Sequence, residues 1–160
     1  MLFWRIIFML AAAGAELTDT TTETTLASTT LAAGQLAAGR AIEVIASTLT
    51  TSSNGTDTLT LKLYIGGTVV WTSAGVDQAN NDVGTVRALA SSKGTGAAST
   101  VDVTGYGVDP DATGTIAAKG FFKQLSLNTS SELEVKLTGT WSVQHADNKV
   151  KCHQFIVSAG

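Results

Sequence analysis

The stretch that most constrains this chain runs from Glu132 to Val143 and reads ELEVKLTGTWSV. Leu133, Val135, Leu137, Trp141 and Val143 share one parity, while Glu134, Lys136, Thr138, Thr140 and Ser142 occupy the other. Successive side chains leave opposite faces of a β-strand, so the first set forms a dry face and the second a wet one. Gly139 is the gap in the dry face, where a bulge or the close approach of another backbone is expected. Fully burying a Leu or Val is worth roughly 1.5–3 kcal/mol, so such a strand requires a second layer opposite. No stretch of the chain offers a long amphipathic helix, and that layer is expected to be another sheet.

The same reading extends along the chain. Strands are expected over Thr24–Leu31, Arg40–Thr51, Thr58–Ile65, Thr68–Thr72, Val83–Ser91, Ala98–Tyr106, Phe121–Leu127 and Lys149–Val157, besides the opening stretch. Leu59, Leu61, Leu63 and Ile65 face inward, with Thr58, Thr60, Lys62 and Tyr64 outward. Asn54-Gly55 gives the strongest short-range hairpin signal, and Gly66-Gly67 a second two-residue turn. Gly107–Gly114, GVDPDATG, reads as the longest turn-rich loop, and Gly75–Asp82 as a polar one. Eight or nine short strands without a helix of substance predict an all-β, antiparallel β-sandwich in one domain over residues 16–160.

Composition narrows the function. Charged residues are only 14% of the chain, against about a quarter in ordinary globular proteins. The polar surface is therefore built largely from Thr, Ser, Asn and Gly. A net charge of −3 gives no basic footprint for nucleic acid. Cys152, the one cysteine, excludes an intrachain disulfide and a cysteine-based zinc site, and reads as a buried small hydrophobe.

Residues 1–15, MLFWRIIFMLAAAGA, differ from all that follows. The apolar run is too short for a transmembrane helix, which needs about 20 residues. Ala13-Gly14-Ala15 has the small-x-small form of a signal-peptide cleavage site, but Arg5 sits inside the apolar run rather than before it. A docking arm is the preferred reading. Leu2, Phe3, Trp4, Ile6, Ile7, Phe8, Met9 and Leu10 are then its partner-binding residues, expected as an extended strand on a neighbouring chain's sheet edge.

Groups that could carry a reaction are few. His145 lies near Asp147, and His153 within the last strand, with no nucleophile signature beside either. Asp109-Pro110-Asp111 falls short of a calcium loop and reads as a proline turn. Gly94-Thr95-Gly96 is too short for a phosphate loop. Asn54 and Asn128 open glycosylation sequons that turn chemistry explains better. Of Tyr64, Tyr106, Trp71 and Trp141, only Tyr64 is expected to stand exposed. No catalytic residue, metal ligand or cofactor site is expected.

The stretches Glu16–Leu31, Asn54–Gly67 and Leu133–Asn148 resemble a family of small virion structural proteins of tailed bacteriophages, over about residues 16–158. The resemblance implies a jelly-roll-like sandwich displayed on a particle. It implies a capsid decoration or cement protein, often trimeric, with the major capsid protein, another virion protein or itself as partner. The alternative is a receptor- or glycan-binding head on a fibre or tail, using loops such as Gly75–Asp82 and Gly107–Gly114. The apolar arm departs from such surface proteins.

Overall fold

A computed structural model describes residues 5–9 and 14–160. Its strands are β1 (Arg5–Met9), β2 (Leu17–Thr18), β3 (Thr24–Leu31), β4 (Ala41–Ser52), β5 (Thr58–Ile65), β6 (Thr68–Thr72), β7 (Val76–Asp77), β8 (Val83–Ser92), β9 (Ser99–Pro110), β10 (Ile116–Leu127), β11 (Leu133–Trp141) and β12 (Lys149–Ala159). One sheet has the order β1-β12-β4-β8-β9-β10, with β2 on β12, and the other β3-β11-β5-β6, with β7 on β5. All pairings are antiparallel, and the two sheets form the sandwich that the alternation requires. Among the described residues no helix is long and apolar enough to cross a membrane.

The opening stretch lies at the centre of the smaller sheet, as β11 between β3 and β5. Leu133, Val135, Leu137 and Trp141 are buried, facing the inward rows of β4 and β12 such as Val44, Phe155 and Val157. Gly139 makes room for side chains rather than backbone: a Cβ there would lie 3.1 Å from both Leu17 and Leu26. The irregularity sits on the partner strand, where the β3–β11 register shifts between Leu137 and Thr138. Val143 falls outside β11 and is 47% exposed, so the dry face ends at Trp141.

Turn chemistry is fulfilled in one place and redirected in another. Gly66 and Gly67 adopt φ of 59° and 77°, and the β5–β6 hairpin closes around them. Two successive positive φ values fit the backbone twist of a two-residue hairpin. The turn at Asn54-Gly55 joins no hairpin. It carries the chain from β4 in one sheet to β5 in the other. Its frame is side-chain bonding: Asn148 Oδ1 accepts from the Asn54 amide (2.9 Å), and Asn148 Nδ2 donates to Asp57 (2.8 Å). A local signal fixes the bend, and the inter-sheet core decides where the chain goes next.

The stretch expected as a loop from Gly107 is half strand. Gly107–Pro110 continues β9 and Ile116–Gly120 begins β10, in register without a break from Ile116↔Pro110 to Leu127↔Ser99. Glycine here marks close approach, not a turn. A Cβ on Gly107 would overlap the Trp71 indole, and one on Gly105 would overlap the Phe121 ring. The reversal itself is confined to the tip, where Asp111 Oδ1 accepts from the Thr113 and Thr115 amides at 2.9 Å each.

Replacing Gly107 by Ala is expected to cost about 1–3 kcal/mol through overpacking against Trp71. Gly120→Ala, whose Cβ would meet nothing closer than 3.7 Å, should stay within about 0.5 kcal/mol of the parent. Urea midpoints at fixed m-value measure both. Equal midpoints for the two variants would refute the packing role of Gly107.

A second expectation concerns Asp109. It is 4% exposed, its Oδ1 has no hydrogen-bond partner, and burial pushes its carboxyl from about 3.8 up to about 6. Because the folded-state value is raised, stability is highest where the carboxyl is neutral, and it falls as pH climbs from about 4 through 6. Asp109→Asn should remove most of that fall, worth about 2–3 kcal/mol at pH 7. Parallel pH slopes of unfolding free energy for parent and variant would contradict this.

Candidate interaction surface

The two outer faces of the sandwich are built from opposite halves of the same alternation, yet they differ in chemistry. The outer face of the smaller sheet is polar and internally satisfied. Glu23 takes hydrogen bonds from Lys62 (2.7 Å), Tyr64 (2.5 Å) and Thr138 (2.8 Å). Donation by Lys62, then by Tyr64, pulls its carboxyl down to about 2. Lys136 lies 5.2 Å from the centre of the Tyr64 ring, which leaves Tyr64 half-buried.

The outer face of the larger sheet is mixed, with large apolar side chains exposed among polar ones. Neighbouring strands place Ser158, Glu43, Leu89, Thr104 and Phe122 side by side in one row. The next row holds Ile156, Ile45, Arg87, Tyr106 and Gly120. On the edge strand β1, Ile6 stands opposite Ser158 and Met9 opposite Ile156. Ile6 and Met9 are each 57% exposed, Tyr106 46% and Phe122 65%. Antiparallel sheets with one solvated face ordinarily alternate hydrophobic-in and polar-out; this face keeps polar groups such as Asp102, Gln124, Ser47 and Thr85 but sets the exposed apolar side chains among them.

One ion pair crosses the patch. Arg87 Nε donates to Glu43 Oε1 at 2.6 Å, which holds the guanidinium above its ordinary value. Around it, Leu89, Thr104, Gly105 and Tyr106 line a shallow depression of about 460 Å³. Six strands at about 4.8 Å spacing make the face roughly 24 Å wide.

The expected partner-binding residues are placed only in part. Leu2, Phe3, Trp4 and Leu10 lie outside the described residues. Ile6, Ile7, Phe8 and Met9 form an extended strand, but its edge is the chain's own: β1 pairs with β12. Phe8 turns inward and meets Phe155 edge-on at 5.9 Å, and Ile7 packs against the core. Ile6 and Met9 are left on the outer face.

Tyr106 is the freely exposed tyrosine, contrary to the expectation for Tyr64. Its parity relative to the inward Val101 and Val103 carried that signal, as did the parity of Phe122 relative to Leu125 and Leu127. Trp71 and Trp141 are buried.

The remaining groups are dispersed. The Asp147 amide donates to His145 Nδ1 at 3.2 Å within a turn, and His153 is exposed at the β12 bulge between Cys152 and Gln154. Cys152 is fully buried, and desolvation lifts its thiol to about 11. Pro110 ends a strand, between a buried Asp109 and an Asp111 occupied with its own turn. Among the described residues no group of three or more His, Cys, Asp or Glu is arranged to hold a metal ion.

No protein-family model matches the chain, and no curated protein does. Among solved structures, the chain is similar to that of infectious bursal disease virus, Gt strain, at 14% identity over 98% of its length, with a TM-score of 0.40. It is also similar to a mutant VP2 protein of infectious bursal disease virus from derived T=1 particles, at 14% identity over 98% of its length, with a TM-score of 0.42. The chain spans about a third of the length of each, 33% and 31%.

Proposed function

We propose that this chain is a virion structural protein of a tailed bacteriophage, and that it decorates and cements the capsid through the outer face of its larger sheet. The observation that carries the reading is the asymmetry of the two faces. On one, Glu23 is satisfied by Lys62, Tyr64 and Thr138, and the other exposes Ile6, Met9, Leu89, Tyr106 and Phe122. Large apolar side chains exposed together on one face mark an interaction site. The whole face, roughly 34 Å by 24 Å with its polar rows included, is on the order of 800 Å², the scale of one partner's share in a stable interface. The resemblance over residues 16–158 supplies the virion setting, the homotrimeric state and the capsid as partner. The proposal assigns no reaction to the chain.

In this mechanism a preformed sandwich bridges neighbouring shell subunits, so that rupture of the shell must re-expose the buried face. Binding then stabilises the particle by mass action. Tyr106 and Phe122 are exposed, so the pair Tyr106→Glu and Phe122→Glu should alter the domain's own stability by no more than about 0.5 kcal/mol per site. Particles that lack the protein should release their genome at lower temperature. Adding back the parent chain should restore stability at hundreds of copies, while the double variant should not load. Light scattering should give a trimer. A few copies per particle, together with binding of the isolated domain on a glycan array, would replace this reading with a receptor-binding head on a fibre or tail.

A further inference from the structure

At one end of the larger sheet a concavity of about 510 Å³ opens between β1, the connection from β3 to β4 and the end of β12. Its polar side chains are Arg5, Arg40 and Gln35, and its apolar wall is Ile6, Ile7 and Ala159. Strand pairing brings the backbones of Arg5 and Arg40 to the same end of the sheet, and both residues line the concavity. Arg5 stands opposite Ala159, and Gly160 exchanges backbone bonds with Ala41 at 3.1 and 3.2 Å, next to Arg40. The connection is held as firmly: the Arg40 amide donates to Ala37 (3.0 Å), and the Arg40 carbonyl accepts from Ser92 (3.0 Å).

The polar side chains here supply mainly donors. Arg5 and Arg40 form no ion pair with any of the 13 acidic side chains, all of which lie among the described residues. Gln35 Oε1 accepts from the Ala32 amide at 2.8 Å, a group that can only donate, and this fixes the Gln35 amide nitrogen as the outward-facing end. Two guanidiniums and an amide N–H group beside an aliphatic wall match a carboxylate carried next to an apolar side chain. Guanidinium forks bind such oxygens in pairs. Phosphate would use the forks and leave Ile6, Ile7 and Ala159 without a partner.

We infer that this concavity is a carboxylate-recognition site, taking a glutamate or aspartate with an aliphatic neighbour from a segment of a protein partner. The inference does not rest on the virion reading, since it follows from the donor set whatever the partner is. It would place a charged anchor at the rim of the larger sheet's outer face, because Ile6 belongs to both.

The test uses the full chain and three probes: a capped peptide of alternating leucine and glutamate, its leucine–glutamine counterpart, and inorganic phosphate. Calorimetry and amide shifts at Ile6, Gln35 and Arg40 report binding. The glutamate peptide should bind with shifts confined to these residues, and the glutamine peptide at least about tenfold more weakly. Arg40→Gln, at an exposed position, should weaken binding about tenfold without changing the unfolding midpoint, and 0.5 M salt should act in the same direction. Lys119→Gln, on the far edge of the sheet, should change nothing. Absence of glutamate-peptide binding, equal binding of the glutamine peptide, or indifference to Arg40→Gln would overturn the assignment. Phosphate binding as tightly as the peptide would overturn the commitment to a protein partner.

Discussion

Everything in this molecule depends on one constraint: the two sheets must bury their facing rows against each other with almost no aromatic bulk to fill the gap. The interior is mostly Leu, Val, Ile and Ala, with Trp71, Trp141 and Phe155 as the large exceptions. Small and branched side chains fill a layer only if the backbones come close, and close backbones need glycine where a ring intervenes. That is why Gly107 faces Trp71 and why Gly139 admits Leu17 and Leu26. The glycines and the few large side chains are two halves of one packing solution.

Where that solution is incomplete, the structure bears a cost. The end of the sandwich near β7 and the tip of β9 is filled by Thr48, Thr50, Gln78 and Asp109, all buried. Thr50 donates to Gln78, but Gln78 Nε2 and Asp109 Oδ1 lack partners. A buried carboxylate without a donor is costly in charged form, so this end of the fold is sensitive to pH while the Leu- and Val-rich centre is not. The opposite carboxylate case, Glu23, has three donors and is held far in the other direction. Burial alone raises a carboxyl, as at Asp109, and hydrogen bonding lowers it, as at Glu23, Asp102 and Asp111.

Much of the architecture was legible in sequence because period-two alternation is a direct consequence of strand geometry. β3, β5 and β6 coincide with the expected spans, and Leu133, Val135, Leu137 and Trp141 are buried as their parity required. What was not legible has physical causes. Asn54-Gly55 specifies a bend but not its destination, since hairpin and sheet-crossing turns share local chemistry. Gly107, Pro110 and Gly120 lower strand propensity, yet β9 and β10 run through them because cross-strand pairing and the Trp71 contact outweigh it. Of the candidate surface, Ile6 and Met9 stood out by composition. Tyr106 and Phe122 were readable only by carrying parity through neighbouring strands and asking what lay on the far side.

The edges of the larger sheet explain why the proposed association would use a face. The larger sheet ends in β10, a 12-residue strand whose outer edge is unpaired among the described residues, and such an edge ordinarily invites another strand. Two features oppose that here. Lys119 and Lys123 share the inward parity of Leu125 and Leu127, so a strand added alongside would have to accommodate charge on its buried side. Lys123 is also engaged, donating to the Val69 carbonyl at 2.6 Å across the gap between the sheets. Inward-pointing lysines on an edge strand are a recognised barrier to edge-to-edge pairing. At the opposite end the edge strand is β1, only five residues long, and so short an edge offers little backbone to pair with. With one edge guarded by lysines and the other short, the outer face that exposes Ile6, Met9, Leu89, Tyr106 and Phe122 would offer a partner more area than either edge, at less cost in unsatisfied backbone.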